Sequence, residues 1–383
     1  MNWNVPLFDP DLGPEEEQAL LDVLRSKWLT MGDRTKAFEA RFAQETGVPV
    51  ALACNSATAA LHMALAALGI GPGDDVVVPS LTFVATANAV RYCGARPVFA
   101  DVASLDEWNV SAESLERALT PATRAIVVVH YAGYACDMPA IMALARRRGL
   151  FVVEDVAHAP CAALDGVALG AWGDVGCFSF FSNKNMTTAE GGMVTTRRPE
   201  LAEPLSRLRS HGMTTLTLDR HKGHAFGYDV VALGYNYRMS ELNAALGLVQ
   251  LGRVRERNAL RANHVAHYRQ QLAGLPLGLP FAQFRGEPAY HLMPVLLPEG
   301  ADRLHVMTTM RERGVQTSIH YRPVDTFTAY VEAGLGPCTT VPLSHRIGNG
   351  VVTLPLYPSM REEQIDHVCR SLEEALRGAE VHA

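Results

Sequence analysis

Through its first two-thirds the chain alternates short, unbroken apolar runs with helical patterns, and this alternation restricts the fold more than any other feature. The runs are Val76-Val77-Val78-Pro79, Pro97 to Asp101, Ala125 to Val129, Phe151 to Asp155, Val175 to Phe181 and Gly192 to Thr196. Between them lie helical stretches from Asn55 to Leu68, Val84 to Tyr92 and Met138 to Arg148, preceded by a helix opening at Pro14-Glu15-Glu16-Glu17. A strand apolar on both faces must be covered on both faces, which implies an α/β fold with a mostly parallel sheet between helices. Ligands of such sheets gather beyond the carboxyl ends of the strands, so Asp155, closing its run, is better placed for chemistry than an acid in mid-strand. From Ser240 onward a helical stretch, Leu242 to about Leu272, reads as a spacer. The remainder holds strands at His291 to Leu297 and Thr317 to Tyr321 and a final helix from about Arg361 to Leu376, the pattern of a smaller C-terminal α+β domain. The expected division is 1–250, N-terminal segment included, and 251–383.

Composition narrows the function. At 383 residues the chain exceeds one typical core, and 48% hydrophobic with 19% charged residues describes a globular protein. A net charge of -6 without a dense Lys/Arg run argues against a nucleic-acid partner. The seven cysteines include no C-x-x-C pair, which fits free thiols in a reducing compartment and no structural metal site. Met1 to Pro6 shows no basic region followed by an apolar core, so no signal peptide is expected, and the most apolar stretch, Ala51 to Ile70, is too polar to read as a membrane span. The expectation is a cytoplasmic protein with no membrane partner.

Four local features together point to pyridoxal 5'-phosphate (PLP) chemistry, which needs an amine for a Schiff base, a carboxylate for the pyridinium nitrogen, a phosphate cradle and a cover for the ring. The amine is Lys184, in Ser182-Asn183-Lys184-Asn185; alone it reads as a surface lysine, but it follows a run that should be buried, where an amine pKa falls. The carboxylate is Asp155, whose plain reading is a helix cap. His158 could contact the ring hydroxyl or stack on the ring. The cradle is Asn55-Ser56-Ala57-Thr58, leading into a helix, where backbone amides suit a phosphate as well as they suit ordinary capping. Phe83 could cover one ring face or be ordinary core.

With these residues in place, the chain closely resembles the DegT/DnrJ/StrS family of PLP-dependent sugar aminotransferases, nearly end to end. The matching stretches include Ser26 to Gly32, Ser56 to Leu61, Gly71 to Val76, Glu154-Asp155, the lysine segment ending Glu190-Gly191-Gly192, Gly234-Tyr235-Asn236-Tyr237-Arg238-Met239, Ser318-Ile319-His320-Tyr321 and Leu354 to Pro358. The resemblance implies a fold type I PLP-dependent transferase. Lys184 would be the Schiff-base lysine and proton shuttle, and Asp155 the partner of the ring nitrogen. His158 would sit at the ring hydroxyl, Ala57, Thr58 and Ser179 at the phosphate, and Phe83 on the ring. Asn236 would reach the neighbouring subunit's phosphate in a homodimer with shared active sites. Trp28, His320, Tyr321 and Arg322 would serve the substrate. The reaction implied takes an amino group from glutamate or glutamine, through pyridoxamine 5'-phosphate, to a keto sugar, nucleotide-linked first and a keto-cyclitol second. A PLP-dependent sugar dehydratase would replace the lysine by histidine, which this chain does not. His211 and the segment Met213 to Val230, with His221, Lys222 and His224, would lie in the dimer and substrate region. The departures are Ala57 and Ala189 for frequent glycines, tolerable at negative φ, Pro160-Cys161 where His-Gly is common, and Asp325 where a histidine often lies near the substrate.

Overall fold

The computed structural model describes residues 3–215, 227–336 and 340–379. Its first two-thirds hold the strands β1 (Val50–Cys54), β2 (Asp75–Pro79), β3 (Arg96–Ala100), β4 (Thr123–Val129) and β5 (Phe151–Asp155), then a small hairpin β6 (Ala163–Leu164) and β7 (Val167–Ala168), then β8 (Val175–Ser179) and β9 (Gly192–Thr196). The six expected strands form, as β2, β3, β4, β5, β8 and β9, whereas β1 and the hairpin were not among those expected from the sequence; all three are additions. Seven of these strands make one sheet in the order β1-β9-β8-β5-β4-β2-β3. Pairs β2/β3, β2/β4, β4/β5 and β5/β8 are parallel, while β9 runs antiparallel to both of its neighbours, β1 and β8.

The unbroken apolar runs explain the layering, because successive side chains of a strand point to opposite faces. Val77, Ile126, Val128, Val152 and Phe178 enter one core, with Phe38 and Phe42 of the helix Asp33–Thr46. Their neighbours Val76, Val78, Val127, Val153 and Cys177 enter the opposite core, beneath Leu61, Met63 and Leu65 of the helix Ala57–Ala67. Register then aligns the strand ends: Val129 pairs with Asp155, and Asp155 with Cys177.

A third core lies around the antiparallel pair β10 (Met293–Leu296) and β11 (Val351–Leu354), enclosed by the helices Val254–Leu272, Arg303–Glu312 and Glu362–Ala379. Val5 belongs to this core and bridges to Val315, so the first described residues pack with the last hundred rather than with the sheet. Two expectations change. The helix from Leu242 to Leu272 is two helices, Glu241–Leu251 and Val254–Leu272. Gly252, a poor helix former, sits between them, and the amides of Gly252 and Arg253 turn to carbonyls three residues back, at Val249 and Gln250. Thr317 to Tyr321 is not a strand. Only Ser318 bridges to Thr353, after which the chain leaves the sheet edge and carries His320 and Tyr321 to the cavity described next.

Candidate active site

A cavity of about 330 Å³ opens beyond the carboxyl ends of the parallel strands. It brings together Ala57, Thr58, Phe83, Asp155, His158, Ser179, Lys184, His320 and Tyr321, from segments spread over most of the chain. Trp28, Asn236 and Arg322 are not among its lining residues. Trp28 is half-buried against Gly32, where an added Cβ would come within 2.5 Å of the indole nitrogen. Asn236 is exposed, and its carbonyl accepts from Asn55 Nδ2 at 3.2 Å. Arg322 is exposed and folds back on Thr326, donating to its Oγ1 at 2.9 Å and its carbonyl at 2.6 Å. His211 is exposed too, while 216–226, with His221, Lys222 and His224, lie outside the described residues.

Asp155 ends β5 almost wholly buried, at 6% exposure. Thr86 Oγ1 donates to its Oδ2 at 2.8 Å, and the amide of Ala157 donates to its Oδ1 at 3.1 Å. Burial pushes its pKa up, opposed by these two hydrogen bonds and by the charge of Lys184. Its neighbour Glu154 points to the other face of the sheet, as strand alternation requires, and does structural duty. Glu154 accepts from the amides of Gly170, Trp172 and Gly173 at 2.9, 2.8 and 2.7 Å. The amide of Cys136 donates to His130 Nδ1, so His130 carries its proton on Nε2, 3.1 Å from Glu154, and donates it there.

Lys184 lies in the loop between β8 and β9, tethered at many points. Asn185 Nδ2 donates to Asn258 Oδ1 and the Ala289 carbonyl, and Asn243 Nδ2 donates to the carbonyls of Thr188 and Glu190. Burial lowers the Lys184 pKa from 10.5 to about 8, with Asp155 pulling back. A group with that pKa is roughly one tenth neutral at pH 7, some 300-fold more than an ordinary lysine. The histidines nearby are depressed as well, by burial first and by the charge of Lys184 second: His158 and His291 strongly, His320 to about 4. Neutral imidazoles therefore surround the amine. His158 lies against His291 at 4.5 Å between ring centroids with the rings tilted by 36°, and meets the Tyr321 hydroxyl at 2.9 Å through Nε2.

The helix Ala57–Ala67 starts at the cavity with Ser56 as its cap, accepting from the Ala59 amide at 3.1 Å. The first amides of a helix have no partners within it and favour anions, so the sequence reading of a phosphate cradle has the required backbone. Ala57 fits inside this helix, but Ala189 does not meet the condition of negative φ: it stands at +66°, and Cys161 at +57°. Both occupy left-handed backbone that favours glycine. Asp325, the departure at a position where a histidine is frequent, is not among the cavity's lining residues. Fully buried, it accepts from Ser80 Oγ at 2.6 Å and pairs with His345 Nε2 at 2.7 Å.

The residues fit pyridoxal phosphate by observations independent of any motif. Phe83 lines the cavity with 57% of its surface open, so one ring face has room for a flat partner. His158 Nδ1 and Asn183 Oδ1 are buried without a hydrogen-bond partner among the described residues, and both residues line the cavity. Sequence reasoning missed Thr86, Ala157, Asn183 and Glu190. The hydroxyls of Thr82 and Thr86, one helical turn apart in an otherwise apolar segment, were a usable signal for the first; the others carry none.

Comparison with known proteins follows the same line. Residues 10–373 match the model of the DegT/DnrJ/EryC1/StrS aminotransferase family. The spore coat polysaccharide biosynthesis protein SpsC of Bacillus subtilis (strain 168) is 38% identical, with 99% of each chain covered. The aminotransferase TlmJ of Streptoalloteichus hindustanus superposes with a TM-score of 0.90 at 34% identity, over 98% of this chain and 99% of its own. The putative sugar aminotransferase Spr1654 of Streptococcus pneumoniae, solved in PLP- and PMP-forms, gives 0.92 at 30% identity for the latter, over 98% and 100%.

Proposed function

The chain belongs to the DegT/DnrJ/EryC1/StrS aminotransferase family, and from that premise we propose that it moves an amino group from glutamate or glutamine to a nucleotide-linked keto sugar. It is a PLP-dependent aminotransferase, and its relatives place it in sugar or polysaccharide biosynthesis. One observation carries the reading of the site: an amine with its pKa lowered to about 8 shares one cavity with a buried carboxylate and the open start of a helix.

When bound, pyridoxal phosphate supplies a carbonyl that carries the amino group and a ring that accepts electrons. This chain's residues do the rest. The amides at Ala57 and Thr58, with Ser179, would hold the phosphate at the helix start, where the dipole favours an anion. Asp155, with its negative charge at the strand end, would hold the ring nitrogen, and Phe83 would cover one ring face. Lys184 Nζ, neutral in a useful fraction at pH 7, takes up a proton and returns it at the neighbouring carbon, the work of a positioned general base with a matched pKa. His158 stays neutral and available for hydrogen bonding at the ring hydroxyl.

The same reading makes the active enzyme a homodimer. Asn236 is exposed and outside its own cavity, and the chain before it exposes Tyr228, Val230, Val231 and Leu233, the last at 79%. Such an apolar run is costly on a free surface, and a second copy of the chain would cover it while bringing Asn236 to the other cavity. The cytoplasmic placement is supported by the six described cysteines, all free. Among the described residues no helix is long and apolar enough to cross a membrane, and no cluster of three ligating side chains could hold a metal ion. Residues 1–250 and 251–383 are the proposed domains, with the first strand-like residues lent to the second.

The test is direct. The yellow protein mixed with glutamate or glutamine should lose its visible band as the amino form appears, and adding a nucleotide-linked keto sugar should restore it. Failure of every amino donor to discharge the band would overturn the transaminase reading; discharge without recovery on any sugar would overturn the acceptor.

A further inference from the structure

The buried carboxylate of the site stands at the end of a one-way hydrogen-bond chain, and we propose that Thr86 is a positioning residue that keeps Asp155 ionised and aimed into the cavity, with Thr82 supplying Thr86 in turn. The proposal rests on the reading of Asp155 as the partner of the cofactor ring. An ionised carboxylate can only accept, and a threonine hydroxyl has a single proton to give. Thr86 Oγ1 lies 2.8 Å from Asp155 Oδ2, so its proton is committed there. Thr82 Oγ1 lies 3.2 Å from Thr86 Oγ1 and must therefore be the donor of that pair. The direction is Thr82 to Thr86 to Asp155, and each bond in such a chain polarises the next.

Burial makes the chain consequential. Thr86 is fully buried and does not line the cavity, so its hydroxyl has no water to turn to, while Thr82, 1% exposed, stands at the cavity wall. A threonine in a helix ordinarily returns its hydroxyl to a carbonyl one turn back. Thr86, in the helix Ala85–Tyr92, forgoes this; its hydroxyl bonds only to Asp155 and Thr82 among the described residues. The other carboxylate oxygen receives the Ala157 amide, so donors from two separate elements fix the plane of the group. Against the burial that pushes Asp155 toward its neutral form, the Thr86 bond is the foremost opposing influence, ahead of Ala157 and Lys184. Cys177 and Tyr321 also face Asp155, and its charge pushes both of them up.

The variants are Thr86→Val, which keeps the shape and removes the proton, Thr86→Ser, which keeps the proton, and Thr82→Val. In the cofactor-free full-length chain, carbon-13 NMR of the Asp155 carboxyl should show T86V raising its titration midpoint by about one to two pH units. In the holoenzyme T86V should lower kcat on the order of 10- to 100-fold and alter KM for the amino donor much less, because the charge acts as electrons reach the ring. T86S should recover both readouts to within about threefold, and T82V should move them the same way by less. A wild-type midpoint in T86V, or T86S as impaired as T86V, would overturn the proposal; should T86V not fold, an unchanged midpoint in T82V does so. The cofactor reading fails separately, as a wild-type chain that does not retain PLP while the midpoint still shifts.

Discussion

Replacing Lys184 by methionine should abolish activity and make the cofactor-free chain more stable. Burial holds the amine near 8 in the folded protein against 10.5 ordinarily. Each pH unit is worth about 1.4 kcal/mol, so carrying the ammonium at pH 7 costs the folded state about 3 kcal/mol. Lys184 is only partly shielded from solvent, which screens some of that cost and leaves a gain of about 1–3 kcal/mol for a methionine of similar volume. The pH dependence identifies the cause. The unfolded chain keeps the proton up to about pH 10.5, while the folded chain releases it near pH 8. Wild-type stability should therefore rise with pH across that window relative to K184M, and the gap between the two should close. The chain has four lysines, so the difference between the proteins isolates one titration. Denaturant unfolding of both proteins without cofactor, which would add its own binding energy, reads the effect from about pH 7 to about pH 10. A gap that does not change with pH, or a less stable K184M at pH 7, would show that the amine is not held in a destabilising environment.

Two further substitutions follow from the backbone and the interior. Ala189→Gly should raise stability by about 0.5–1 kcal/mol and leave turnover intact, since it relieves a left-handed alanine at the price of a more flexible unfolded chain; a lower thermal midpoint would contradict this. Glu154→Ala should cost about 4 kcal/mol or more, because it strands three backbone amides and the His130 proton at a site with no exposure. An unfolding free energy within about 1 kcal/mol of the parent would show those amides find other partners.

Much of the site is carried by local pattern. Unbroken apolar runs specify strands buried on both faces, their ends specify where a ligand can sit, and Asp155, Ser56 to Thr58 and Lys184 occupy such ends and the loops after them. These features need only period and neighbours along the chain, so a reader of the amino acids alone reaches the cavity and its central groups. Other features depend on how distant segments meet. That β9 runs against its neighbours, that Thr86 meets Asp155 across 69 positions and Tyr321 meets His158 across 163, and that Asp325 turns to His345 are all consequences of the path of the backbone. Periodicity says which face a side chain occupies, but not which side chain of another segment stands opposite it. A directional bond of under 3 Å needs that second answer, and it exists only once the sheet, its covering helices and the crossing after Ser318 are in place. The amine and the carboxylate were written in the amino-acid order; the hydrogen bonds that hold them in working form were settled by packing.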